Sequence, residues 1–513
     1  MNIAKLALLT SGLVLAGASM AQYDANKVRL LAHVPFSSMP GSPSSGAGGS
    51  GWVSPNGREY GVMGVRTGAV IYDITNPTAP ELMKFIPGST SLWHENVCMG
   101  TYAYLVSDQS GSGVQIVDLS AMDTTRTATL VNTYSGHGLS TVHTIQANPQ
   151  TNTLYLNGSN RGCVFLDASN PADPVEVGRW TTKYVHDSLP VNYTSGPYAG
   201  KEILFACCGQ DGLYILDVTN KAAPVVIGST RYLLNGTYCH SGTLTPDKKY
   251  FLINDEFDEN QGSEPDCTTH VINVENLANP VETTTFHNPL RIIDHNSKWQ
   301  DGYLVLAAYR GGVRIYDPSD PLHMSETGYF DTYGGPDDFS YDGDWGLYTA
   351  YPSGNVILTD IDDGFFVVDP SEAKNMGAPI VSYRTSTPPA RTFTVKTLRL
   401  ADGITYSMHL VRGSAFVELG YQTTSKVKNL LDITVKGQTS MMRATLMLLN
   451  KSTGQFDRLG TQQLNATNST VTFANVAASN YIKTDGSIRA RVQFDSFTPQ
   501  GIIDLDMVKA TVH

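Results

Sequence analysis

The chain has 513 residues, of which 16 % are charged and 41 % hydrophobic, and its formal net charge is -12. That length exceeds one ordinary core of ~100–200 residues, so it holds several domains or one large repeat array. The composition excludes a disordered chain. The acidic balance and the lack of any Lys/Arg cluster speak against nucleic-acid binding, which needs a basic face.

The N-terminus reads as a signal peptide over residues 1–21. Lys5 is its positive start, Leu6 to Ala18 its apolar stretch, and Ser19-Met20-Ala21 offers small residues to a signal peptidase. The mature chain is therefore expected to be secreted, or at the cell surface or in the periplasm, with no transmembrane segment. Export permits disulfides. The six cysteines are Cys98, Cys163, Cys207, Cys208, Cys239 and Cys267, and they contain no CxxC, which argues against a thiolate zinc site. Cys239 and Cys267 make the best candidate pair. Cys207-Cys208 reads as two buried thiols in preference to a vicinal disulfide.

From residue 28 onward one phrase repeats: a tight turn, a β-branched strand, an Asp and a polar turn. It occurs as Gly68-Ala-Val-Ile-Tyr-Asp73, Gly113 to Asp118, Gly162 to Asp167, Gly212 to Asp217, Gly312 to Asp317 and Gly364 to Asp369. Thr268-Thr-His-Val-Ile-Asn273 is a degenerate copy. Seven copies at a period of roughly 45–55 residues match four-stranded propeller blades. The Gly supplies the positive φ of a tight hairpin. The strand packs between neighbouring blades, and the Asp accepts from amides of the next turn. The motif Thr75-Asn-Pro-Thr-Ala-Pro80 then ends the strand, because Pro cannot join a central ladder. One blade cannot bury both faces, so the copies must stack around an axis.

The predicted fold is thus all-β: a seven-bladed β-propeller over residues 28–378, a linker over 379–391 and a β-sandwich over 392–513. Val28 to Phe36 looks like an outer strand with no blade before it, and is expected to close the ring near Phe365. After the Pro388-Pro389 linker the phrase disappears. Alternating strands follow at Thr394 to Leu398, Ala415 to Leu419, Ala444 to Leu449, Val471 to Phe473, Ala490 to Phe494 and Ile503 to Val508.

The repeated phrase resembles LVIVD repeats. Trp93-His-Glu-Asn-Val97, Tyr184-Val-His-Asp187, His240 to Asp247, Asp255 to Glu259, Ile293-Asp-His-Asn296 and Tyr351-Pro-Ser-Gly354 resemble the choice-of-anchor B family of exported bacterial propellers. The resemblance covers about residues 28–370, and His94 departs from it, standing where Arg is expected. It implies export, a propeller and a variable C-terminal anchor, and no established reaction. The C-terminal segment is similar to the jelly-roll modules of other exported bacterial proteins.

Five of the 12 histidines fall near predicted first strands, which line a propeller's channel: His94, His143, His186, His240 and His295. Three readings stand side by side. The imidazoles bridge strands and solvent, or they hold a divalent metal, or they do acid–base work. Asp187 and Asp294 stand beside two of them as further ligands or orienting partners, and Glu95 beside His94. Asp255, Glu256, Asp258 and Glu259 are calcium candidates, as is the cluster Asp337, Asp338, Asp342 and Asp344; the alternative for both is a solvated turn. Trp52, Trp93 and Trp345 suit sugar stacking or blade packing. No known catalytic motif is present. The favoured function is an exported, non-enzymatic binding or scaffold protein with an unknown protein or glycan partner. The alternative is a metal-dependent hydrolase with a His-lined channel site.

Overall fold

The computed structural model describes residues 23–233, 237–374, 380–386, 406–409, 414–425, 430–439, 442–464, 469–496 and 502–512. The signal-peptide expectation and the strand expected at Thr394 to Leu398 lie outside them. The described chain is all-β, built from antiparallel sheets with short 3₁₀ turns.

Up to residue 374 it forms seven sheets. Their innermost strands are Gly46–Val53, His94–Met99, Thr144–Asn148, Asp187–Asn192, Cys239–Leu244, Asn296–Gln300 and Asp344–Tyr348. We number the sheets 1 to 7 in that order. Each innermost strand packs on the next, and the ring closes where Asp344–Tyr348 meets Gly46–Val53. The core is therefore a set of apolar layers between sheets. Sheets 1 and 2 share one with Tyr60, Val62, Ile71, Leu105 and Val117. Sheets 7 and 1 share another, built from Met63, Val65, Tyr72, Ile357, Phe365 and Val367.

The repeated phrase folds as its chemistry dictates. Gly212 and Gly312 have φ of +83° and +63°, and a Cβ there would meet the carbonyls of Thr230 and Phe330 at 2.3 Å. Only glycine tolerates both the conformation and the contact. Each terminal Asp accepts from the amide two residues on: Asp73 from Thr75 at 2.9 Å, Asp118 from Ser120 at 2.8 Å, Asp217 from Thr219 at 2.9 Å, Asp317 from Ser319 at 2.9 Å. The degenerate copy keeps the bond through Asn273, which accepts from Glu275 at 3.0 Å. These Asx turns fix where each strand stops.

The strand Arg29–Val34 completes sheet 7 by pairing antiparallel with Gly364–Asp369. The chain's start thus supplies the outer strand of its last repeat. Ala25–Asn26 adds a short fifth strand to sheet 6.

Beyond residue 380 two further sheets appear. One holds Ile380–Thr385, Ser414–Gln422, Ser487–Ser496, Met442–Leu449 and Phe456–Leu464. The other holds Tyr406–His409, Ile502–Val512, Leu430–Thr439 and Ser469–Ala477. One apolar cluster, including Val417, Leu446, Val492, Ile433 and Val508, is common to both. Residues 380–385 were expected in a linker; they pair instead with Ser414–Gln422, Thr385 opposite Val417. The alternation Ile-Val-Ser-Tyr-Arg-Thr outweighs the polar composition there. All six cysteines are free thiols, so Cys239 is not bonded to Cys267; its sulfur instead neighbours that of Cys207.

Candidate functional site

The ring of innermost strands surrounds a channel. Its inner part is a cavity of about 270 Å³ lined by Glu95, Asn96, Gln146, Asp187, Asn296 and Lys298, among others. One mouth opens into a second cavity of about 440 Å³, walled by Trp93, Tyr184, Tyr238, Tyr309, Tyr341 and Trp345. His143, His186 and His240 belong to both, so an imidazole layer separates the mouth from the inner channel.

Four of the five predicted histidines meet in that layer. His143 Nε2 lies 2.8 Å from His186 Nε2. The ring centroids of His186 and His240 are 4.2 Å apart, and those of His240 and His295 4.3 Å. Successive sheets deliver them because each precedes or begins an innermost strand. His94 is the exception. Its Nε2 bonds the Ser89 carbonyl at 2.8 Å, and the ring lines a separate pocket with Gly88 and Gln115. That carbonyl, in the loop leaving sheet 1, draws the ring out of the channel, and Trp93 stands at the mouth instead.

The backbone fixes which nitrogen of each imidazole faces the channel. His186 Nδ1 lies 3.2 Å from the His240 carbonyl, and His240 Nδ1 lies 3.1 Å from the His295 carbonyl. His295 Nδ1 bonds the Trp345 carbonyl. A carbonyl only accepts, so each Nδ1 carries the hydrogen and each neutral ring presents an Nε2 lone pair. His143 Nδ1 is held by Asp108 at 3.0 Å.

Burial, then the neighbouring imidazoles, push His186 and His295 well below the usual histidine range; burial also lowers His240. Burial opposes charge on His143 too, but the hydrogen bond and charge of Asp108 outweigh it and raise this one ring. Of these four rings only His143 is thus disposed to be cationic, and in that state its Nε2–H donates to His186 Nε2.

Glu256 joins the layer from the turn after the second strand of sheet 5. Its carboxylate lies 3.9 Å from His240 Nε2 and 3.8 Å from His295 Nε2. Donor atoms of His186, His240 and Glu256 all lie within 4.8 Å of one another. The Tyr309 hydroxyl donates to Glu256, and the Tyr341 hydroxyl to its backbone oxygen at 3.0 Å. Tyr309 holds that position with φ of +40°, a strained conformation for a bulky residue.

The other predicted acids go elsewhere. Asp187 lies deeper in the channel and accepts from Thr144 at 3.1 Å and Gln146 at 2.9 Å. Asp294 turns away into the protein and accepts from Asn254 at 2.7 Å and Thr269 at 2.8 Å. The calcium quartet disperses: Asp255 caps the Tyr238 amide, Asp258 pairs with His270, Glu259 accepts from Thr268, and Glu256 faces the channel. A strand end followed by a turn splays consecutive carboxylates, so their density in sequence does not become a cage. Asp338 and Asp342 are bound to Arg310. Trp52 packs on Tyr60 and donates to the Gly100 carbonyl, a structural role.

Glu95 lines the inner channel, where Trp345 Nε1 donates to it at 2.6 Å, and burial raises its carboxyl to about 7. A Cβ on Gly48 would fall inside that carboxylate, so a larger residue there would have to displace Glu95 from this position.

Asp108 and Tyr309 were missed from sequence. Like Glu256, each lies just past the end of a second strand, Tyr102–Ser107, Tyr303–Ala307 or Tyr250–Asp255. Aligning the repeats on that position would have found all three.

The LVIVD repeat family model matches residues 153–182 and 205–231, which lie in sheets 3 and 4 and leave out their innermost strands. No curated protein matches the chain. The extracellular domain of a B. thetaiotaomicron protein described as a hybrid two-component system is similar at 11 % identity and a TM-score of 0.45, over 76 % of this chain and 46 % of that one. The present chain therefore spans under half of that relative. The WD40 repeats of RRP9 are similar at 10 % identity and a TM-score of 0.43, over 68 % of this chain and 99 % of theirs. The C-terminal WD40 domain of Sif2 is similar at 11 % identity and a TM-score of 0.40, over 63 % and 81 %. No described helix is long and apolar enough to cross a membrane. The chain is a β-propeller repeat protein, with two segments similar to LVIVD repeats.

Proposed function

We propose that this is an exported binding or scaffold protein without catalytic activity. A seven-bladed propeller presents the channel mouth, and the C-terminal β-sandwich acts as tether or second binding module. One observation carries the reading. The exposed aromatics among the described residues are Trp93, Tyr184 and Tyr341, and all three wall this one mouth. Exposed rings above a polar floor suit a ligand with a flat apolar face and a hydrogen-bonding edge, such as a sugar ring. The test is calorimetric titration with a panel of mono- and oligosaccharides, comparing wild type with Tyr184→Ala/Trp93→Ala. Binding that the double variant weakens at least ten-fold supports the reading, and binding of equal strength in both refutes the mouth as the site.

A second reading, a metal-dependent hydrolase, draws on the convergence of His186, His240 and Glu256. Turnover of model esters or lactones by wild type, abolished by Glu256→Gln, would establish it and displace the first. In that case the metal would lower the pKa of a bound water and supply the nucleophile.

A further inference from the structure

The imidazole layer has the construction of a metal site. His186, His240 and His295 each spend Nδ1–H on a backbone carbonyl of the next sheet, which locks ring orientation and tautomer. That is the outer-shell arrangement found around ligating histidines. His295 is 0 % exposed, yet its Nε2 has no hydrogen-bond partner. A buried lone pair left empty destabilises the fold, so a group that satisfies it stabilises it. Glu256 lies across the layer from these rings, oriented by Tyr309.

We infer that His186, His240 and Glu256 bind one divalent first-row transition ion, with His295 flanking it. Two imidazole nitrogens and a carboxylate favour Zn²⁺ and its neighbours over Ca²⁺ or Mg²⁺, which take oxygen ligands. Metal–ligand bonds of about 2.1 Å set neighbouring donors roughly 3.4 Å apart. The His240–Glu256 separation of 3.9 Å exceeds this by about half an ångström. The donor atoms of His186 lie within 4.8 Å of both others, and the ion would take the Nε2 lone pair that otherwise faces His143 at 2.8 Å, so side-chain rotations must close the site around it. The ion would sit at the floor of the aromatic-walled cavity, with its remaining position facing the mouth.

The site shares the mouth with the proposed ligand, but an ion titration reads the metal alone, so either reading can fail without the other. Tag-free full-length mature protein, stripped with chelator, is titrated with Zn²⁺ by calorimetry and with Co²⁺ by visible absorption. The expected result is one ion per chain. His240→Gln and Glu256→Gln should each weaken Zn²⁺ by about 100-fold or more, while His94→Gln, outside the layer, leaves it unchanged. Melting curves of the stripped variants check that they fold. A measurement on wild type needs no variant: Co²⁺ should shift or broaden the imidazole NMR signals of His186 and His240 and spare His137 and His323. No tight binding, equal weakening in His94→Gln, or Co²⁺ effects confined to other histidines would overturn the site.

Discussion

Val34 stands opposite Phe365 in an antiparallel ladder, although nearly the whole propeller lies between them in sequence. The pairing continues to Arg29 opposite Asp369. His33 stacks on Phe366 with centroids 4.3 Å apart, and Tyr23 donates to Asp363 at 2.6 Å. One short strand thus joins the first residues of the described chain to the last repeat. Loss of it would expose the edge of Gly364–Asp369 and uncover the buried Phe365 and Phe366.

Deletion of residues 28–36 should therefore lower the melting temperature of the propeller by several degrees or more, each kcal/mol moving it by up to roughly 2 °C in a domain beyond 250 residues. Differential scanning calorimetry checks this. An unchanged melt would show that the ring is held without its closing strand.

Glu95 gives a pH-dependent prediction. Its carboxyl is raised to about 7 by burial, which disfavours its charge. Between about 4.5 and 7 the folded chain holds a proton that the unfolded chain releases, so stability falls across that window and the cost is full above it. Glu95→Gln removes the cost and keeps an acceptor for Trp345. The variant should be more stable than wild type by about 1 kcal/mol at pH 8, the shift being tempered by the side chain's partial exposure to the channel. Urea denaturation at pH 5 and pH 8 measures it. A variant no more stable at pH 8 than at pH 5, relative to wild type, would contradict the raised carboxyl.

Much of the propeller was legible because its phrase repeats physics. Gly212 and Gly312 need positive φ, and the closing Asp needs an amide two residues on; both are local demands readable from residue type. The site was legible only in outline. First-strand histidines announced a channel, but the ring of His94 follows the Ser89 carbonyl, a loop contact outside any periodicity. Asp255 to Glu259 read as one acidic cluster, yet consecutive side chains at a strand end point to different partners, so only Glu256 reaches the channel. Residues 380–385 carried a strand alternation inside a stretch whose prolines dominated the reading.

Tyr309 is expected to act on the metal through Glu256. Its hydroxyl donates to that carboxylate, and its strained backbone places it there. Tyr309→Phe removes one hydrogen bond and keeps the ring. Zn²⁺ affinity should fall about ten-fold, the usual scale for losing an orienting partner, with the melting temperature of the metal-free protein changed by only a few degrees. Calorimetry on the stripped variant decides it; unchanged affinity would leave Tyr309 as a packing residue only.

His270 supplies a second titration, buried in sheet 5 away from the channel. Its Nε2 lies 2.9 Å from Asp258 and its Nδ1 2.6 Å from Glu282, with the Tyr232 ring 4.5 Å away. Burial disfavours its charge, but two carboxylate hydrogen bonds prevail and raise it to about 10. The folded chain therefore holds a proton that the unfolded chain loses above about 6.5. The stabilisation is complete below that pH and disappears as pH climbs towards 10, at ~1.4 kcal/mol per unit. Nearby carboxyls act in the same direction. Glu264 is raised, and Glu259 and Asp294 are held well above the usual range, first by burial. Each costs stability as pH rises, so wild type alone cannot assign the effect. His270→Gln can. Urea denaturation at pH 7 and pH 9 should show wild type losing roughly 2 kcal/mol more than the variant over that interval. Parallel losses in the two proteins would mean that His270 is neutral in the fold and that its two carboxylates carry the proton instead.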